Sequence, residues 1–435
     1  MTTGVNPGVH GIFDFFRIEN YERHLVGTAD VKAPHIWDTL SDLGKKVIVV
    51  NHPSIFPAYP INGVMISGMM TPSYESKFVY PPSVKSWLME RDYKFGVVLD
   101  VGGRSSFARA FTMTKNSKSI SRMIERFNEV EEKRGDITLE LMDENPDWDF
   151  VFVLFESGDR LSHYFWSDSQ HDILLRHYRK LDEIVGKFLA RADENTWIGI
   201  ASDHGFTSVQ KKFFINSLLM DMDLLAVNSS SGKIKGRLVE AARWLISKAS
   251  SLGVPVERIL STDFAIDAFR RLYRPFSDYG RSQAFMINET AQGIWINVRG
   301  REQQGTVAPE EYDVVRGRIL DKLNALTDPA TGKKFITAYP REQVFKGKQT
   351  RNAVDIVCTV RDGYSIECLS KRPDDKLREA NYLLEVREGE KDADHHPLGV
   401  YMSNSPITTP REEFWIGSVH HEIANFLSLN EPKGT

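Results

Sequence analysis

Five short runs of apolar, β-branched and aromatic residues, each closed by turn chemistry, restrict what this chain can fold into more than any other feature. They are 46-KVIVV-50, 63-GVMIS-67, 149-DFVFVLF-155, 197-WIGIAS-202 and 354-VDIVC-358. Near-continuous apolar runs of this length suit strands covered on both faces. Between them lie segments with helical spacing. Residues 117–143 carry Ile120, Met123, Ile124, Phe127 and Val130, and residues 171–191 carry Ile173, Leu174, Leu181, Ile184, Val185, Phe188 and Leu189. Strands alternating with helices predict an α/β fold, a doubly wound and mostly parallel sheet flanked by helices. A less regular stretch, 207–282, holds the loop 226-AVNSSSGK-233 and the amphipathic segment 237-RLVEAARWLISKAS-250. It is expected to be a smaller helical insertion or cap, which leaves 1–206 and 283–435 as the α/β core.

Composition narrows the function. The chain has 435 residues, 55 basic and 59 acidic, for a net charge of −4. That balance gives no support for coating nucleic acid or a membrane surface. The longest apolar runs are far too short to span a bilayer, and the first twenty residues lack the basic and apolar regions of a signal peptide. Two cysteines, Cys358 and Cys368, cannot staple a chain of this size and are expected as reduced thiols in a cytoplasmic protein.

Three constellations carry chemistry. In 156-ESGDRLSHYFW-166, Asp159 and His163 stand just beyond the 149–155 run, where ligands collect in open α/β sheets. Four residues apart, they converge on one ion if the segment turns helically. Alone, they are equally an exposed Asp and a partly buried His. In 202-SDHGF-206, Asp203 and His204 meet a bend at which Gly205 permits close backbone approach or a positive φ. Alone, this is a polar turn after a core strand. The third, 392-DADHHPLGVYM-402, holds two Asp and two His in a stretch with the character of a charged surface loop. Together the three offer hard or borderline N/O donors suited to Zn²⁺ or Mn²⁺. Two adjacent ions need about six to seven protein ligands when water and substrate fill the remainder. The five candidates Asp159, His163, Asp203, His204 and His395 form a two-metal site that is short of ligands.

These same stretches carry a family resemblance. The segments 2-TTGVNPGVHGIFDF-15, 158-GDRLSHYFW-166, 202-SDHGF-206 and 395-HHPLG-399 resemble the alkaline phosphatase superfamily. The similarity is to its type I phosphodiesterase/nucleotide pyrophosphatase branch, in the phosphohydrolase/phosphomutase-like form. Residues 48–72, 295–307 and 327–336 agree, so the resemblance runs through nearly the whole chain. It implies two divalent ions, Zn²⁺ or Mn²⁺. One would be held by Asp159, His163 and His395, since His395 rather than His396 fits the family's His-x-Pro-x-Gly frame. The other would be held by Asp203 and His204, together with an Asp of the family's first strand and a nucleophilic Thr or Ser.

Those last two groups have no matching position. In the family, the Thr-Gly before the Pro and His-Gly follows the nucleophile. The nucleophile is therefore expected upstream of Met1, and Thr2 and Thr3 are not substitutes for it. Asp14 and Phe15 stand where nucleotide pyrophosphatases carry an Asn that helps hold the phosphoryl group. The resemblance thus implies a metal-dependent phosphohydrolase acting on small-molecule phosphate mono- or diesters. Its activity is expected to be impaired in this chain, and its stability marginal for want of a first strand. A phosphomutase or phosphotransferase, and a non-catalytic metal-binding protein of the same fold, are the alternatives. His10 is expected as a turn histidine, and Asn51-His52-Pro53 is given no role.

Overall fold

The computed structural model describes residues 1–95, 117–166, 171–227, 277–368, 378–386, 392–404, 415–427 and 429. A hairpin of β1 (Phe16–Glu19) and β2 (Glu22–Leu25) precedes the first layer. That layer is a sheet of β3 (Val47–His52), β4 (Gly63–Ser67), β5 (Val79–Tyr80) and β6 (Phe150–Val153), in the order β5-β4-β3-β6. β3 runs parallel to both β4 and β6, and β5 is antiparallel.

The apolar run of β3 is explained by cover on both faces. Val47, Ile48, Val49 and Val50 are all fully buried. Ile48 and Val50 pack with Ile66, Phe78, Leu88, Ile137 and Leu141 on one side, where the helix Ser117–Glu144 lies. Val47 and Val49 pack on the other side with Trp37, Leu40 and Ile423, from the helices Ile36–Asp42 and Ser418–Phe426. Each such side chain contributes roughly 1.5–3 kcal/mol by leaving water. This is the doubly covered α/β layer that the sequence predicts, with its helices at Ser117–Glu144 and His171–Leu189.

Beyond it come β7 (Gly199–Ala201) and the long β8 (Gly205–Phe214). A second sheet joins β9 (Ala284–Phe285), β10 (Gly293–Ile296), β11 (Ile336–Pro340) and β12 (Ile356–Val360), with every pair antiparallel. Finally, β13 (Gly363–Glu367), β14 (Leu383–Glu385) and β15 (Ala393–His396) all pair with β8, and β16 (Tyr401–Ser403) pairs antiparallel with β7.

The structure differs from the expected insertion at its first residues. Positions 207–214 continue β8, and the helix Ile215–Asp221 follows. The strand escapes notice in the sequence because Gln210, Lys211 and Lys212 interrupt Val209, Phe213 and Phe214. Lys211 is tolerated there because its Nζ donates to the buried Asp328 at 2.7 Å. The segment 237–250 lies outside the described residues.

One buried group makes the fold sensitive to acid. His35 is 6% exposed, stacks on Trp37 at 4.4 Å, and shares its Nδ1 with the Thr2 hydroxyl at 2.9 Å. Burial, then positive charge on His52, His10 and the N-terminus, lowers its pKa to about 2. Above about pH 6.5, folded and unfolded chains both carry the neutral ring. As pH falls below that value the unfolded chain takes up a proton that the folded chain refuses, so stability declines. His35 alone is expected to remove roughly 2 kcal/mol between pH 7 and pH 5. Urea denaturation at both values checks this, and His35→Asn should show a correspondingly shallower decline. Equal declines in the two proteins would rule it out.

Candidate metal centre

Asp159 and His163 lie on the helix Ser157–Phe165, which begins directly after β6. Their i,i+4 spacing puts both side chains on one face of that helix. Leu161 and Phe165 point the other way, into a cluster with Phe127, Val130 and Leu174. That packing fixes which face turns toward the site.

Asp203 and His204 occupy the corner between β7 and β8. His395 lies in β15, opposite Phe206 of β8, and His396 lies opposite Gly205. Two backbone clamps bring these distant segments together. Ser202 donates its N–H to Val400 O at 2.8 Å, and its hydroxyl accepts from Val400 N at 2.7 Å. Gly205 allows the approach, because a Cβ there would lie 2.0 Å from Leu398 O. Of the two roles open to Gly205 in the sequence, close backbone approach is the one observed.

The result is a tight donor cluster. Asp159, His163 and His395 each offer one ligand atom, and these lie within 4.8 Å of one another. His395 Nε2 is 3.1 Å from Asp159 Oδ1 and 3.2 Å from His163 Nε2. His163 Nε2 is 3.6 Å from the same Asp159 oxygen. Tetrahedral coordination at about 2.0–2.1 Å places ligand atoms about 3.3–3.4 Å apart. The three observed edges bracket that value, so the donors fit one face of such an ion. His163 Nδ1 faces Ala393 O at 3.3 Å, and His204 Nδ1 faces Gly205 O at 3.0 Å. A proton on each Nδ1 serves those carbonyls and leaves Nε2 unprotonated, as a metal ligand requires.

His204 stacks on His395 at 3.6 Å, with its Nε2 3.7 Å from Asp159 Oδ1 and 3.6 Å from Asp203 Oδ1. His204 therefore adjoins the three converging donors, and Asp203 reaches the cluster through its contact with His204. Asp203 is the most open of the five candidates, its side chain 78% exposed. Burial pushes the Asp159 carboxyl up in pKa. The hydrogen bond from His395 and the charges of His163, His395 and Arg160 outweigh burial and hold it at about 2. It is a carboxylate throughout the physiological range.

Phe206 was not singled out in the sequence. Its ring meets His163, His204 and His395 at 4.9, 5.4 and 5.3 Å, edge to face in each case. It forms an apolar floor that orients three imidazoles at once. The signal was the Phe of 202-SDHGF-206, which carries no donor atom. The residues set aside behave accordingly. His10 Nδ1 accepts from Ile12 N at 3.2 Å in a turn, and buried Asn51 ties β3 to β6 through Leu154 O at 2.9 Å. Asp14 is held by Asn288 and by the Thr290 hydroxyl at 2.8 Å. His396 faces Asp362 at 3.5 Å.

No curated protein matches the chain. Among solved structures, phosphonoacetate hydrolase from Sinorhizobium meliloti 1021, in complex with phosphonoacetate, is 14% identical, with a TM-score of 0.50 over 98% of this chain and 81% of that one. The same enzyme with phosphonoformate gives 13% identity and 0.49 over 98% and 81%. Murine ectonucleotide pyrophosphatase/phosphodiesterase 5, in an inactive form with AMP, gives 13% and 0.43 over 100% and 83%. The first of these shares the alkaline phosphatase-like α/β fold. The sequence model for type I phosphodiesterase / nucleotide pyrophosphatase matches residues 1–395, most of the 435-residue chain. The chain belongs to that family of phosphoester hydrolases.

Proposed function

We propose that the protein is a metal-dependent hydrolase of small-molecule phosphate mono- or diesters, with Asp159, His163 and His395 holding one divalent ion and Asp203 and His204 contributing to a second. The observation that carries this reading is the convergence of the three ligand atoms of Asp159, His163 and His395, within 4.8 Å of one another. Zn²⁺ or Mn²⁺ suits a set of imidazole nitrogens and carboxylate oxygens. When bound, such ions supply Lewis acidity at the phosphoryl oxygens and activate a hydroxyl nucleophile near neutral pH. The protein's own part is positional. Ala393 O and Gly205 O set the imidazole tautomers of His163 and His204, Asp159 stays ionised, and Phe206 packs edge-on against the three rings. Two unpaired thiols, Cys358 and Cys368, suit the cytoplasm. Among the described residues, no helix is long and apolar enough to cross a membrane.

Among the described residues none is assigned as nucleophile, and slow turnover by this polypeptide is part of the proposal. The test loads the purified chain with Zn²⁺ or Mn²⁺ and measures bound metal together with hydrolysis of 4-nitrophenyl phosphate and bis(4-nitrophenyl) phosphate. At least one ion per chain and slow, metal-dependent release of nitrophenol are expected. Absence of bound metal, or hydrolysis unaffected by chelation, would overturn the reading.

A further inference from the structure

The helix Ser157–Phe165 carries two of the three converging donors, yet its own cap residue, Glu156, makes no side-chain capping bond. The cap arrives from the helix Ser117–Glu144. One carboxylate oxygen of Glu131, Oε1, accepts from Glu156 N at 2.8 Å, Ser157 N at 2.8 Å and Ser157 Oγ at 2.5 Å. The other oxygen faces the Arg134 guanidinium, which also donates to Phe95 O at 3.2 Å. Glu131, Arg134 and Ser157 are all at most 1% exposed.

A buried ion pair of this kind is weak support for stability, because desolvating both charges offsets their attraction. Its geometric effect is stronger. Three donors converging on one fixed oxygen set both the height and the rotation of the helix's first turn. Asp159 lies in that turn, and His163 one turn later. Ligand atoms about 5–6 Å from a helix axis move about 2 Å for a rotation of about 20°. Ion sites tolerate about 0.2 Å.

We propose that Glu131 is a positioning residue for ion binding: it holds the helix at the rotation where Asp159 and His163 meet His395. This rests on the reading of that cluster as an ion site.

The test is calorimetric titration of the full 435-residue chain with Zn²⁺ and with Mn²⁺, beside thermal unfolding of the same samples. The proteins are wild type, Glu131→Ala, Glu131→Gln, His395→Ala and, as a destabilised control in the second sheet, Asp355→Asn. Glu131→Ala is expected to bind about 10–100-fold more weakly than wild type. Asp355→Asn should bind within about threefold of wild type despite its lower melting temperature, because it lies outside the shell that orients the ligands. Glu131→Gln keeps an acceptor for the three donors but turns an amide toward Arg134 or the helix end, and should weaken binding at least about threefold. It decides the matter if Glu131→Ala does not fold. Glu131 variants that bind as the control does would overturn the proposal. A wild-type chain that binds no ion, or binds it no better than His395→Ala, overturns the reading of the cluster and this proposal with it.

Discussion

Replacing His395 with alanine is expected to weaken ion binding by more than about 100-fold, whereas His396→Ala should stay within about threefold of wild type. Changes to groups that merely orient a ligand typically cost 10–100-fold, so loss of a ligand should exceed that range. His395 Nε2 is the hub of the cluster, 3.1 Å from Asp159 Oδ1 and 3.2 Å from His163 Nε2. Without it, two donors remain on one helix face, an incomplete set for a tetrahedral ion. His396 lies on the opposite face of β15 and pairs with Asp362 at 3.5 Å. Calorimetry with Zn²⁺ reads both variants directly. Equal losses, or a larger loss for His396→Ala, would contradict the assignment.

The largest expected effect on stability is at Asp355, which is fully buried in the second sheet. Its Oδ1 accepts from Arg301 at 2.8 Å and from the Tyr312 hydroxyl at 2.7 Å, with Arg341 at 3.0 Å. Its Oδ2 accepts from Arg301 at 2.7 Å and from Ile296 N at 2.7 Å. Asp355→Ala leaves two partly buried guanidinium groups without their shared carboxylate. Breaking one side of a buried pair costs about 3–5 kcal/mol, and that loss is expected here. Urea unfolding of wild type and variant measures it. A loss under about 1 kcal/mol, the scale of an exposed pair, would mean that solvent screens this network. Asp355→Asn should fall between the two, because it keeps the shape and some of the acceptors but not the charge.

Legibility in the sequence followed burial. β3, β4 and β6 were readable because both faces are covered, so an unbroken apolar run is the only composition that suits them. β8 was hidden because one strand passes from the site, through Lys211 and Lys212, to the apolar core of the second lobe, and its polar members are neutralised by Asp328 and Glu367 from far along the chain. In the antiparallel second sheet, β12 was read from 354-VDIVC-358, and β9, β10 and β11 were hidden. Its strands are short, and one of them ends on the charged network at Asp355. Asp159, His163, Asp203 and His204 were readable because they follow strand ends and have donor chemistry, whereas His395, inside β15, was read from its His-x-Pro-x-Gly frame. What brings them together was not readable. The Ser202–Val400 clamp and the Phe206 floor join segments nearly two hundred residues apart, and neither uses a residue type that announces its role. The Glu131 cap is the extreme case, since a Glu in mid-helix reads locally as a solvent-facing charge.

The pairing of β8 with β15 has a consequence for errors in assembly. A strand displaced by one residue normally turns its working side chain away from its target. Here the two residues at that point are both histidine, so a displaced β15 would still offer an imidazole to Asp159 and His163. The chemistry is redundant to the misalignment, and the choice of register falls to something else. The same displacement would carry the carboxylate of Asp394 into the place of Ala393, which is fully buried against the neighbouring strand. Placing an unpaired charge there is costly. One small apolar residue, two positions before the ligand, acts as the proofreader of the site.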